Sequence, residues 1–216
     1  MDNSEIFPFI DHTLLKATAT EEQIRQLCEE ALLYHTASVC IPASYVKLAR
    51  DNFPTLNICT VIGFPLGYST TAVKCFEAKN AIRDGADEID MVIDLGWVKD
   101  RKFLEVQREI ADVKAVCGNK ILKVIIETCY LTEEEKIELC KCVTNAKADF
   151  IKTSTGFGTD GAKIEDIRLF KQHIGDGVRI KAAGGVKTRS DLEMFINEGC
   201  ARIGTSSAVA LLAGDK

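Results

Sequence analysis

Two lysines lie inside short apolar runs, Lys152 in DFIKTSTGFG and Lys181 in RIKAAGG, and each is followed within a few residues by glycine. An ammonium in an apolar strand carries a desolvation cost unless it is paired or gives up its proton. Burial and a second cation nearby both favour the neutral amine, and a neutral lysine amine is the nucleophile that forms imines with aldehydes and ketones. Either lysine alone reads equally well as one that snorkels from a strand end. Two of them, each leading into a glycine turn, point to amine catalysis.

A carboxylate stands in a similar setting. In EIDMVID, Asp90 is flanked by Ile89 and Met91, so it must be paired or functional, with Lys152 or Lys181 as candidate partners. A purely structural ion pair is the competing reading. Strand alternation gives Asp90, Val92 and Asp94 a common direction, which predicts both aspartates inside a closed sheet with Asp94 nearer its mouth. Lys123, in ILKVII, raises the same question and receives no catalytic role. A third set is suited to anions: Gly184 and Gly185 in AAGG, then Gly204, Ser206 and Ser207 in GTSS, with Gly156 in the turn after Lys152. Backbone N–H groups and hydroxyls there predict a phosphate site, although tight turns alone would also use these glycines.

The elements that must position these residues recur eight times. Apolar runs of strand length fall at 7–10, 38–41, 58–62, 88–93, 121–126, 149–153, 178–182 and 201–204. They are rich in Val and Ile and do not alternate cleanly, as expected for parallel strands covered on both faces. Thr20 with Gln23 and Thr132 with Glu135 read as capping boxes. Apolar residues three or four apart from Phe103 to Val116 predict a helix that Gly118 stops. Further helices are expected over 70–84, 164–172 and 189–198. Eight such units in 216 residues leave about 27 each, which suits an α/β fold of one (β/α)₈ TIM barrel spanning 1–216 as a single domain. An open doubly wound sheet would carry a glycine-rich turn after its first strand, where this chain has Asp11-His12-Thr13. In a barrel the chemistry collects at the carboxyl ends of the strands, where the sequence puts Asp11, Cys40, Asp90, Asp94, Glu127, Lys152, Lys181 and residues 204–207.

Composition narrows the function classes. Hydrophobic residues make up 46% and charged residues 27%, with 27 Lys and Arg against 32 Asp and Glu, a net charge of −5. That is ordinary for a globular protein and gives no basic footprint for nucleic acid. The first residues, MDNSEIFPFIDH, are acidic where a secretory signal needs a basic flank, and no run reaches membrane-spanning length, so a cytoplasmic protein is expected. Nine cysteines are spread along the chain and several sit in apolar runs, which fits reduced thiols better than a disulfide framework. Cys140 and Cys142 have no histidine near them, and neither they nor His12, His35 and His173 make a metal-ligand spacing, so no metal or other cofactor is expected. Cys40, placed at the mouth, is either a packed thiol or one exposed to aldehyde.

Taken in order, FIDHTLLKATAT, EIDMVID, LKVIIET, FIKTSTGF, IKAAGGV and RIGTSS resemble the 2-deoxyribose-5-phosphate aldolase family over nearly the whole chain. The resemblance implies a metal-independent class I aldolase on a (β/α)₈ barrel. Its reaction would be the reversible cleavage of 2-deoxy-D-ribose 5-phosphate to D-glyceraldehyde 3-phosphate and acetaldehyde, in the breakdown of deoxyribonucleosides. It implies Lys152 as the Schiff-base lysine, Lys181 as the lysine that tunes it and Asp90 as the carboxylate of the proton relay. The chain departs from the common pattern at Asp94, at Lys147 where a glycine often precedes Ala-Asp, and at Phe157 where some members carry lysine. The expected ligand is a small phosphorylated sugar, with no nucleic acid or membrane partner and a homodimer as a possible assembly. A transaldolase-like or isomerase barrel, or an inactive phosphosugar-binding barrel, are the other readings; an isomerase would form no imine.

Overall fold

In the computed structural model, which describes residues 1–214, eight strands alternate with helices. A one-turn helix α1 (Asn3–Ile6) precedes β1 (Ile10–Thr13), α2 (Glu21–Tyr34), β2 (Ser38–Ile41), α3 (Val46–Asn52) and β3 (Ile58–Ile62). There follow α4 (Thr71–Arg83), β4 (Glu88–Val92), α5 (Leu95–Lys99), α6 (Phe103–Cys117), β5 (Ile121–Ile125) and α7 (Glu133–Asn145). The chain continues through β6 (Phe150–Lys152), α8 (Ile164–His173), β7 (Arg179–Ala183), α9 (Arg189–Asn197), β8 (Arg202–Thr205) and α10 (Ala208–Ala213). Each strand pairs in parallel with the next, and β8 returns to β1, so the sheet is the expected closed (β/α)₈ barrel.

Local chemistry explains where the elements begin. Both expected capping boxes are present: the Thr20 side chain accepts from the Gln23 N–H and the Thr132 side chain from the Glu135 N–H, with the reciprocal bonds made. Gly118 closes α6 at φ 57°. The first strand departs from expectation. Residues Phe7–Phe9 form a 3₁₀ turn with Pro8 at its start, and β1 begins only at Ile10. Proline suits a first helical turn and cannot donate to a ladder bonded on both edges. Asp11 is therefore within the strand and wholly buried, not in the loop after it.

The apolar core lies mainly outside the barrel. Ile89, Met91, Val124, Ile151, Ile180 and Ile203 point outward and join helix residues such as Ile110, Val113, Leu139 and Phe170 in one buried cluster. The alternate residues point inward, and many are polar or charged. Register pairs place Asp11 beside Ser38, Cys40 beside Cys59, Asp90 beside Lys123, Lys152 beside Lys181 and Lys181 beside Arg202. Branched aliphatic layers usually fill such an interior; here an ionic cluster takes much of that space.

Candidate active site

The centre of the site is Asp90. Its Oδ2 accepts from Lys152 Nζ at 2.7 Å and from Lys181 Nζ at 2.8 Å, and its Oδ1 accepts from Lys123 Nζ at 2.8 Å and from Cys59 Sγ at 3.1 Å. Lys181 also pairs with Asp11, whose other oxygen accepts from Arg202 and from Ser38 Oγ at 2.7 Å. Lys123 reaches Glu88 at 2.5 Å, and Arg202 reaches the same carboxylate at 2.9 Å. Both candidate partners predicted for Asp90 are thus bonded to it. Lys123, left without a role by the sequence, joins three of the strands' carboxylates.

Burial and charge act in opposite directions on Asp11, Asp90, Lys123, Lys181 and Arg202. Burial pushes the Asp90 carboxyl up, but Lys123, Lys152 and Lys181 hold it well below the ordinary carboxylate range. Asp11 is likewise pushed up by burial and held far down by Lys123, Lys181 and Arg202. Burial opposes the charge of Lys181, which Asp11 and Asp90 nevertheless hold on well above the ordinary lysine range. The buried cluster contains four cationic side chains, Lys123, Lys152, Lys181 and Arg202, and three carboxylates, Asp11, Glu88 and Asp90. Lys152 bonds to one carboxylate, whereas Lys181 has two and Lys123 three.

Above the cluster lies a cavity of about 300 Å³ at the carboxyl ends of the strands, and of the three lysines only Lys152 lines it. Gly156, Gly184, Gly185, Gly204, Ser206 and Ser207, all six expected phosphate-site residues, are on its wall. Gly184 and Gly185 have φ of 79° and 74°, which favour glycine. Gly204 has a second reason to lack a side chain: a Cβ there would stand 3.2 Å from Lys181 Cε. Lys16 and Lys187, exposed and on the same wall, make no ion pair among the described residues. Their charge suits the phosphate end and went unnoticed in the sequence, where nothing distinguishes them from surface lysines. Glu88 and Arg202 were missed too, though Glu88 shares a strand face with Asp90 by simple alternation.

Other expectations are corrected. Asp94 does not face the interior: β4 ends at Val92, and Asp94 caps α5, its carboxylate accepting the Trp97 N–H at 3.1 Å. Cys40 is fully buried inside the barrel and does not stand at the mouth. It lies with Cys59 and Asp90 in a group of metal-type donors within 4.8 Å of one another. The Lys123 ammonium, 3.2 Å from Cys59 Sγ, already occupies the cationic role there. Phe157 lines the cavity and meets Phe64 edge-on at 5.4 Å.

The chain is similar to known proteins in sequence and in fold. The family described as DeoC/LacD family aldolase matches residues 6–213. The "Deoxyribose-phosphate aldolase" of Clostridium botulinum (strain Alaska E43 / Type E3) is 60% identical over 100% of this chain and 98% of that protein. That of Clostridioides difficile (strain 630), with the same name, is 56% identical over 97% and 96%. The solved "Unique tetrameric structure of deoxyribose phosphate aldolase from Aeropyrum pernix" superposes with a TM-score of 0.92 at 30% identity, covering 99% of this chain and 92% of its own.

Proposed function

We infer that this chain, which belongs to the DeoC/LacD family of aldolases, reversibly cleaves 2-deoxy-D-ribose 5-phosphate into D-glyceraldehyde 3-phosphate and acetaldehyde. The observation that carries the chemistry is Lys152, the one lysine of the buried cluster that lines the cavity, with its Nζ against the Asp90 carboxylate.

Lys152 as a free amine attacks the aldehyde carbon C1 of the open-chain sugar, and loss of water gives a protonated imine. That cation draws in the electrons of the C2–C3 bond. Asp90, through a water, takes the C3 hydroxyl proton as the bond breaks; the C3 fragment leaves as the aldehyde and an enamine remains on Lys152. The enamine carbon regains a proton, and hydrolysis frees acetaldehyde and the amine. Lys181, held charged by Asp11 and Asp90, opposes a second positive charge on Lys152. The phosphate is placed on Gly184, Gly185, Gly204, Ser206 and Ser207 with Gly156 nearby, and Lys16 and Lys187 supply cations. Binding energy from this remote group positions the reacting carbons.

Borohydride quenching in the presence of 2-deoxyribose 5-phosphate tests this. A reduced adduct is expected on the peptide spanning 149–156, absent in Lys152→Ala, with acetaldehyde released by the unmutated protein. Trapping that persists at another lysine, or no adduct at all, overturns the assignment. We place the reaction in the cytoplasm, supported by nine unpaired cysteines of which seven are buried. A homodimer through Leu66, Tyr68, Val73 and Phe76, on α4 and the loop before it, is supported by the exposure of these four large apolar side chains.

A further inference from the structure

Lys74 and Glu109 take no part in the imine chemistry and lie outside the barrel, yet both are buried. Lys74 Nζ, from α4, meets Glu109 Oε2, from α6, at 2.9 Å, and the Thr71 hydroxyl donates to the other Glu109 oxygen at 3.4 Å. Burial pushes the Glu109 carboxyl up even with the ammonium beside it. Two well-packed apolar side chains would stabilise the helix pair as well as such an ion pair does. What the pair holds in place is therefore more telling than the cohesion it supplies.

It holds the loop between β3 and α4. The Lys74 stem runs against the backbone of Gly63 so closely that a Cβ there would stand 2.8 Å from Lys74 Cε. The Gly63 N–H donates to Glu77 Oε2, also on α4, at 2.8 Å, and the Gly63 carbonyl accepts the Gly67 N–H at 2.8 Å. Gly67 in turn lies against the Ile93 carbonyl, with no room for a side chain. Phe64, between these anchors, meets Phe157 edge-on, and Phe157 lines the cavity. A lysine whose ammonium is tied down has its four-carbon stem fixed too, and that stem is the surface on which Gly63 rests. An unbranched apolar side chain would keep its rotamer freedom there. Resting on the aldolase reading, we infer that Lys74 is a positioning residue: tied to Glu109, it seats the loop that sets Phe64 against Phe157, and so fixes the wall against which the acceptor aldehyde is placed. Enamine formation from acetaldehyde needs Lys152 and Asp90, which the barrel strands hold, so the effect of Lys74 falls on the acceptor alone.

Two half-reactions separate positioning from support of the fold. Exchange of the acetaldehyde methyl hydrogens in deuterium oxide reads enamine formation at Lys152; condensation with D-glyceraldehyde 3-phosphate reads the acceptor step. In Lys74→Met the Glu109 carboxyl takes up a proton, and Lys74→Met combined with Glu109→Leu leaves no buried charge, so that the combined variant keeps its urea midpoint. Both are expected to retain the exchange rate and kcat while KM for D-glyceraldehyde 3-phosphate rises about tenfold, within the range that misplacement of a reactant produces. Phe64→Ala should raise KM by a similar factor, and adding Lys74→Met to it should change little, because both act through one ring. The inference is overturned by an unchanged KM in the combined variant, by additive losses with Phe64→Ala, or by exchange and condensation falling together. Failure of Lys74→Met and the combined variant alike to fold would also overturn it, marking the pair as a support of the fold. If the unmutated protein exchanges the methyl hydrogens while KM stays put in the variants, only the role of Lys74 fails; if it does not exchange them, the aldolase reading fails.

Discussion

Lys181 illustrates how a residue can matter to an imine without forming one. It is fully buried, off the cavity, and held charged by Asp11 and Asp90. Replacing it by leucine withdraws a positive charge from beside Lys152 and favours retention of the proton on the nucleophile. Lys181→Leu is therefore expected to move the acid limb of the kcat/KM profile to higher pH and to lower activity at neutral pH about tenfold or more, the size of effect one adjacent charge produces. An unchanged pH–rate profile would remove Lys181 from the chemistry. Lys152, Lys181 and Asp90 were legible in the sequence because a charge inside an apolar run is an anomaly. Arg202 was not, because it opens β8, and which face a strand's first residue takes depends on register that sequence alone does not supply. Lys16, in LLKATAT, looks like any exposed lysine until the fold brings it beside Ser206.

Seven of the eight strands and the principal helices were readable from apolar periodicity and capping boxes. The failures were at ends, where one residue's chemistry outweighs a pattern. Phe7–Phe9 was apolar enough for a strand, but Pro8 turned it into a 3₁₀ turn. Asp94 continued an alternation that the backbone abandons after Val92, because a carboxylate beginning a helix has backbone donors to accept. Asp94→Ala should cost about 1 kcal/mol in urea unfolding. Lys147 explains its own oddity: after α7 it takes φ 58°, a conformation that glycine adopts without the Cβ penalty. Lys147→Gly is expected to stabilise the protein by about 1 kcal/mol and to raise Tm by about 2–4 °C, with kcat/KM unchanged. A fall in Tm would mean that the Lys147 side chain has contacts outweighing backbone strain.

Across the whole molecule, the ionic cluster sets the pH range of the fold. Asp11 and Asp90 titrate below their ordinary value of 3.8 when folded, so their contribution to stability is complete above that value and lost as pH falls below it. Lys181 titrates above its ordinary value of 10.5, so its contribution is complete below that value and lost at higher pH. Urea midpoints measured across pH should therefore fall off below about pH 4 and above about pH 10. Asp11→Asn, which leaves Lys181 and Arg202 short of a carboxylate, should lower stability by about 3–5 kcal/mol at neutral pH. On the outer surface, Phe76→Lys should convert a dimer into monomers by light scattering while leaving borohydride trapping intact; a mutant of unchanged mass would move the contact away from α4. The separation between an oily outer jacket and an ionic lumen has a further consequence. Because cohesion resides chiefly between strands and helices, a lumen in which charged groups are exchanged together for well-fitting apolar ones should give a sturdier but inert barrel, its gain in melting temperature marking the thermodynamic burden that reactivity places on this fold.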